Sequence, residues 1–186
     1  MVTHSTTVVG FKEKKFSQTP WDKVYRVDYI AKHNIRFEEG YTQEDILWSF
    51  EVIANARSIV IMDEFFIERT INSDSVTRSV SDEAVFKRAV SKLNITKIGA
   101  DRFKDGNYSN ALKGTVYEFC IGIYNSGIKE GLAIKDKSYM QEFYSEINKT
   151  KDIYKLGYNT SNKKYRFLSV IYRLMGVKPI IRYICR

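Results

Sequence analysis

Cysteine, histidine and proline each occur only twice in the 186 residues. Cys120 and Cys185 are too few for a disulfide scaffold, so a reducing, cytoplasmic setting is expected. His4 and His33 stand far apart with no Cys/His cluster, which argues against a zinc site. Long apolar runs are missing as well. Ser58 to Met62 and Val177 to Ile181 fall far short of the roughly 20 residues that a membrane-spanning helix needs. Met1 to Gly10 has neither the apolar core nor the basic front of a signal peptide. No internal repeat and no low-complexity stretch interrupts the chain. What is present, 44% hydrophobic and 28% charged residues, is the composition of a globular protein.

The charge is unevenly placed. The formal net charge is +8, from 30 Lys and Arg against 22 Asp and Glu. From Lys151 onward there are nine basic residues, and Asp152 is the only acid. Residues 1–150 are therefore balanced, and the C-terminus carries the whole excess. A nucleic-acid partner is disfavoured, because the basic footprint is one terminal segment and nothing in the body suggests base stacking or groove reading.

The front of the chain reads as α/β. Pro20 presets a first turn, so Trp21 to His33 is expected to be helical, with His33 as its C-terminal cap. Thr42 to Asp45 has the pattern of a capping box, and Ile46, Phe50, Ile53 and Ala54 then share one helical face. Ser58 to Met62 is rich in β-branched residues and reads as a buried strand, extended through Phe65 to Ile67. The back reads as all helix. Its segments are Asp82 to about Lys97, Tyr108 to Tyr124 with a stop near Gly127, Ser138 to Leu156 stopped by Gly157, and Asn162 to Met175 ended by Gly176. Cys120 falls in an apolar helix as a core residue. A soft boundary lies near residue 80, giving segments 1–80 and 81–186.

Three pieces of the front half occur in order. They are Pro20-Trp21-Asp22-Lys23-Val24-Tyr25, then Ile35-Arg36-Phe37-Glu38-Glu39-Gly40 followed by Glu44-Asp45, then Phe65-Phe66 through Arg69 to Ser73-Asp74-Ser75-Val76-Thr77. Together they resemble the second half of bacterial family 2 glycosyltransferases with the GT-A fold. The resemblance covers Pro20 to Thr77. It implies a partial GT-A-like mixed sheet with helices, followed by the helical C-terminal subdomain. The implied reaction is transfer of a sugar from a nucleotide donor to a hydroxyl of a glycan or lipid-linked acceptor, with inversion, in cell-surface polysaccharide synthesis.

By the same resemblance Asp45 is the general base. A helix N-terminus favours its ionised form, and an ionised carboxylate beside a hydroxyl can accept the proton. The alternative is that Glu44 and Asp45 only charge the start of a helix. Trp21 could stack on an acceptor sugar or be a core indole. Lys23 and Tyr25 could contact substrate hydroxyls or face solvent. Arg69, Ser73 and Thr77 are placed by the resemblance in a loop at the donor edge, where an arginine suits a diphosphate. Glu44 completes the candidate substrate-binding set.

The nucleotide-binding parts of such an enzyme are missing. There is no Asp-x-Asp, no Gly-rich phosphate loop and no N-terminal βαβ pattern. The chain is therefore expected to bind no cofactor by itself and to be inactive alone, as a truncated product, a fragment or one half of a split enzyme. The complete enzyme would use a nucleotide sugar with Mg or Mn. Residues 161–186 interleave Lys and Arg with aromatic and aliphatic residues, a basic amphipathic pattern suited to an anionic membrane surface on the inner face of the cell membrane. The other reading of that pattern is a helix packed on the body with a solvated basic face. A non-enzymatic membrane-peripheral module descended from such an enzyme is the alternative function.

Overall fold

The computed structural model describes residues 2–3, 19–60, 67–68, 70 and 79–185. The chain is mostly helical. In order, the described elements are strand β1 (Val2–Thr3), helices α1 (Val27–Lys32) and α2 (Glu44–Asn55), strand β2 (Ser58–Ile59), and helices α3 (Asp82–Asp105), α4 (Asn110–Gly131) and α5 (Lys137–Thr150). A 3₁₀ segment, Lys151–Asn159, follows, and then helices α6 (Lys163–Met175) and α7 (Lys178–Ile184).

The expected mixed sheet is corrected by this architecture. Among the described residues the strands are two residues each, paired antiparallel with Val2 opposite Ile59 and Thr3 opposite Ser58. A β-branched run has strand propensity, but a sheet needs partners, and a two-residue ladder cannot be its core. Ser58 is exposed, Ile59 is half-buried and Val60 is exposed, so the start of this run is not the buried strand expected. Met62 and the Phe65-Phe66 pair lie outside the described residues.

The core is built by α3 and α4, which run antiparallel: Arg88 meets Glu130, and Lys92 meets both Ser126 and Glu130. Each helix starts on a serine cap, Ser81 accepting from the Ala84 amide and Ser109 from the Leu112 amide. Gly127 does not stop α4, as expected from sequence, but lies inside it. A Cβ there would stand 2.9 Å from Lys92 Cβ and 3.1 Å from the Ala89 carbonyl, so the glycine allows close helix contact. The α5 cap is Asp136 rather than Ser138, accepting from the Ser138 and Tyr139 amides. Gly157 likewise lies within the 3₁₀ segment, whereas Gly176, at φ 74°, ends α6 as expected.

Ile46, Phe50, Ile53 and Ala54 of α2 join the same buried cluster as Leu93, Cys120, Tyr124, Phe143, Tyr154 and Leu168. Cys120 is fully buried, and burial pushes its thiol up to about 12, which makes it an inert core residue. The front helix is thus fastened to the helical body by shared apolar packing, which positions the site described next.

Candidate functional site

The Trp-Asp-Lys segment does not continue into a long helix. Lys23 Nζ donates to the Thr19 carbonyl at 2.7 Å and pairs with Asp22, and the Tyr25 hydroxyl donates to the Pro20 carbonyl at 2.9 Å. These side-chain bonds close a compact turn, which competes with helix until Val27. Trp21 is half exposed, so it is not a core indole. Burial and nearby Asp22 push the Tyr25 hydroxyl up to about 12, so it stays protonated.

This turn and the Ile35 to Glu39 segment meet on α2. Tyr25 sets its ring edge-on against Trp48, with centroids 4.7 Å apart and planes at 85°. Phe37 stacks on Trp48 at 5.0 Å with planes 5° apart. The Tyr29 hydroxyl donates to the Val52 carbonyl, and Ile35, Trp48 and Val52 form a second buried cluster. Asp45 lies one helical turn before Trp48, on the same side of α2.

Asp45 is half-buried in the first turn of α2, next to Glu44. Gln43 occupies the N-cap without a side-chain bond, and Thr42 instead uses its amide to donate to Ser91 Oγ at 2.9 Å. The expected capping box is therefore not formed. Burial, helped by Glu44, raises the Asp45 pKa above its ordinary value, while the backbone amides of Ile46 and Asp45 only partly oppose the shift. The direction is opposite to what the helix end alone would produce. A carboxylate raised in this way is a stronger base than a free one.

A polar cleft of about 650 Å³ opens beside this cluster. Its walls include Arg36, Phe37, Glu38 and Glu39 from the second motif, Glu51 and Asn55 from α2, and Arg102 and Tyr108 from the helical body. Arg102 Nη1 donates to Glu51 Oε1 at 2.9 Å, and its other terminal nitrogen pairs with Glu38. Burial raises the Glu51 pKa, and nearby Glu38 adds to this, so the shift survives the opposing pull of Arg102. Asn55 Nδ2 bridges the Glu51 carbonyl at 2.8 Å and the Tyr108 hydroxyl at 3.2 Å. Tyr108 in turn stacks on Phe103 at 4.7 Å.

Of the residues singled out from sequence, Trp21, Lys23, Tyr25, Glu44 and Asp45 are described, and none of them lines the cleft. Arg69, Ser73 and Thr77 lie outside the described residues. Sequence reasoning missed Glu51, Asn55, Arg102 and Tyr108. Glu51 and Asn55 stood out only as polar residues within the apolar stretch that forms α2, and nothing in the sequence marked Arg102 or Tyr108. Among the described residues no group of three or more His, Cys, Asp or Glu side chains could hold a metal ion. Glu38 and Glu51 are already paired with Arg102. The described residues therefore do not fit the divalent cation that the resemblance implies for a complete enzyme.

Comparison with known proteins gives one functional pointer. The chain is 30% identical over 70 residues to an uncharacterized glycosyltransferase of Escherichia coli (strain K12), YibD. The match covers 38% of this chain and 20% of that protein, so the chain matches only one fifth of its relative's length. No family model matches the chain, and no solved structure matches it. The likeness supports a glycosyltransferase-like origin.

Proposed function

We propose that this chain is the acceptor-side part of an inverting family 2 glycosyltransferase that works only with a donor-binding half. One observation carries the reading. Two separate motif segments converge on Trp48, one turn from Asp45 and beside a cleft whose groups suit a sugar. Carboxylates, an amide and a guanidinium bond hydroxyls, while Phe37 and Tyr108 offer ring faces to the apolar side of a pyranose.

Glu51 lies six residues beyond Asp45, which is about 9 Å along the helix axis. An oligosaccharide acceptor is long enough to rest in the cleft while its reacting hydroxyl reaches Asp45. Asp45 then accepts the hydroxyl proton as that oxygen attacks the anomeric carbon. The bond from the anomeric carbon to the diphosphate oxygen breaks, and the nucleoside diphosphate leaves. A divalent cation neutralising the leaving group, if one is used, would have to be held by the donor-binding half. Glu44, the neighbouring acid, raises the Asp45 pKa further. By family analogy the product is a cell-surface polysaccharide.

A chimera tests this reading. The chain is fused behind the part of the E. coli glycosyltransferase that precedes the matched stretch, and nucleoside diphosphate release is followed with a panel of nucleotide sugars and oligosaccharides. Acceptor-dependent release is expected, lost in Asp45→Asn. Release undiminished by Asp45→Asn would remove Asp45 from the role of base. No release with any nucleotide sugar would count against the transferase reading.

A further inference from the structure

Helix α6 has two apolar sides, and only one is used. Leu168 and Ser169 are buried against the body, with Tyr165 and Tyr172 partly covered beside them. On the opposite side Phe167, Val170 and Leu174, spaced three and four apart, form a stripe that faces solvent. Phe167 is 55% exposed and Leu174 is 76% exposed, and Met175 continues the exposed apolar surface. Burying one side of a helix explains one apolar stripe, but not a second stripe facing water.

The charged residues that border this stripe are all basic. Arg166 and Arg173 lie along one flank, and Lys163 and Lys164 stand at its N-terminal end, all exposed. Helix α7 adds Arg182, and its Tyr183 ring lies 6.0 Å from Lys164 Nζ, so both helices share this surface. No acid occurs after Asp152. The nearby acid Glu118 is occupied by the Ser161 and Asn162 amides, at 2.9 and 3.0 Å. No helix of the described residues is long and apolar enough to cross a membrane.

We infer that the outer side of α6, with α7 beside it, docks in the plane of an anionic lipid bilayer. Phe167, Val170, Leu174 and Met175 enter the headgroup boundary, and the surrounding Lys and Arg side chains meet lipid phosphates. Charge decides between a bilayer and a second copy of the chain. Pairing this surface with itself would set one basic rim against another, whereas an anionic bilayer complements both the apolar stripe and the rim. The inference stands on α6 and α7 alone and does not need the transferase reading.

The test is co-sedimentation of the full chain with vesicles at physiological salt. Binding is expected to vesicles of equal parts phosphatidylcholine and phosphatidylglycerol, and to be lost with phosphatidylcholine alone and in high salt. The double variant Phe167→Ser/Leu174→Ser should weaken partitioning on the order of tenfold or more. Arg166→Gln and Arg173→Gln should each weaken it about fivefold. All these side chains are exposed, so wild-type thermal melts are expected, and melts of each variant verify that. Three results would overturn the inference: wild-type chain left in the supernatant, binding undiminished in the folded Phe167→Ser/Leu174→Ser variant, or a dimer that this variant abolishes while vesicles fail to bind the wild type.

Discussion

Arg102 reaches from α3 to Glu51 on α2, Nη1 to Oε1 at 2.9 Å, and so ties the helical body to the segment that carries the motifs. The same guanidinium pairs with Glu38. Its side chain is 43% exposed, so solvent screens the pair and its contribution to stability is small. Arg102→Gln is expected to cost only about 1 kcal/mol in a denaturant melt. Its larger effect falls on Glu51, whose carboxyl is already raised by burial and loses the one cation opposing that shift. Carboxyl NMR titration should show the Glu51 midpoint moving further up in this variant.

Asp45 should titrate above the ordinary aspartate value of 3.8, because burial and then Glu44 disfavour its charge. The same NMR titration on the isolated chain reads it directly. Glu44→Gln removes the second cause and should lower the midpoint without returning it to 3.8, since burial remains. If Asp45 is the base proposed above, transfer in the chimeric enzyme should fall as the pH drops through the raised midpoint, because a base must be ionised to accept a proton.

Glu130 provides a contrasting pH response. Burial would raise its pKa, but Lys92 and Arg88, each at 2.7 Å, outweigh burial and lower it. A folded pKa below the unfolded value gives stability that is present above the usual 4.5 and lost as pH falls through the lowered value. The midpoint of urea unfolding should therefore drop on acidification below that range, and Glu130→Gln should flatten the drop. At neutral pH Glu130→Ala is expected to cost about 3 kcal/mol, since it leaves Arg88 and Lys92 without their carboxylate.

Gly131 faces the Phe143 ring so closely that a Cβ would stand 2.1 Å from Cζ. Phe143 is fully buried between α4 and α5 and cannot swing out. Gly131→Ala should destabilise the chain by about 1–3 kcal/mol by overpacking, despite the better helix propensity of alanine. Urea denaturation measures it, and a stabilised variant would contradict the close approach.

The helical back half was legible in the sequence where apolar spacing and end signals agreed. The start of α3 at Asp82, and Asn162 with Gly176 around α6, are such places, whereas α3 runs on to Asp105, well past the expected end near Lys97. Gly127 and Gly157 misled, because glycine marks helix ends and close contacts alike, and only the neighbouring element tells which. The α/β front was misread for a different reason. Ser58 to Met62 has strand propensity, but strand identity depends on pairing partners that local sequence does not reveal. The site was half legible. Motif order pointed to Asp45, Trp21 and Tyr25, yet Arg102 enters the cleft from α3 and Tyr108 from the loop between α3 and α4, both more than 40 residues further along and with no pattern of their own. The raised Asp45 pKa could not be read either, since the helix end argues the other way and burial is a tertiary property.

The most direct measurement is oligosaccharide binding by the purified chain, on a glycan array and then by Trp fluorescence, where Trp48, stacked on the cleft-lining Phe37, is the reporter. An acceptor-side part should bind a restricted set of oligosaccharides. Asn55→Ala and Glu38→Gln should each weaken that binding by roughly one to two powers of ten through lost hydrogen bonds to hydroxyls. Asp45→Asn should leave affinity nearly unchanged, because the role proposed for Asp45 is confined to proton transfer. A chain that binds no glycan, or binds one equally well in the Asn55 and Glu38 variants, would contradict the acceptor-side function.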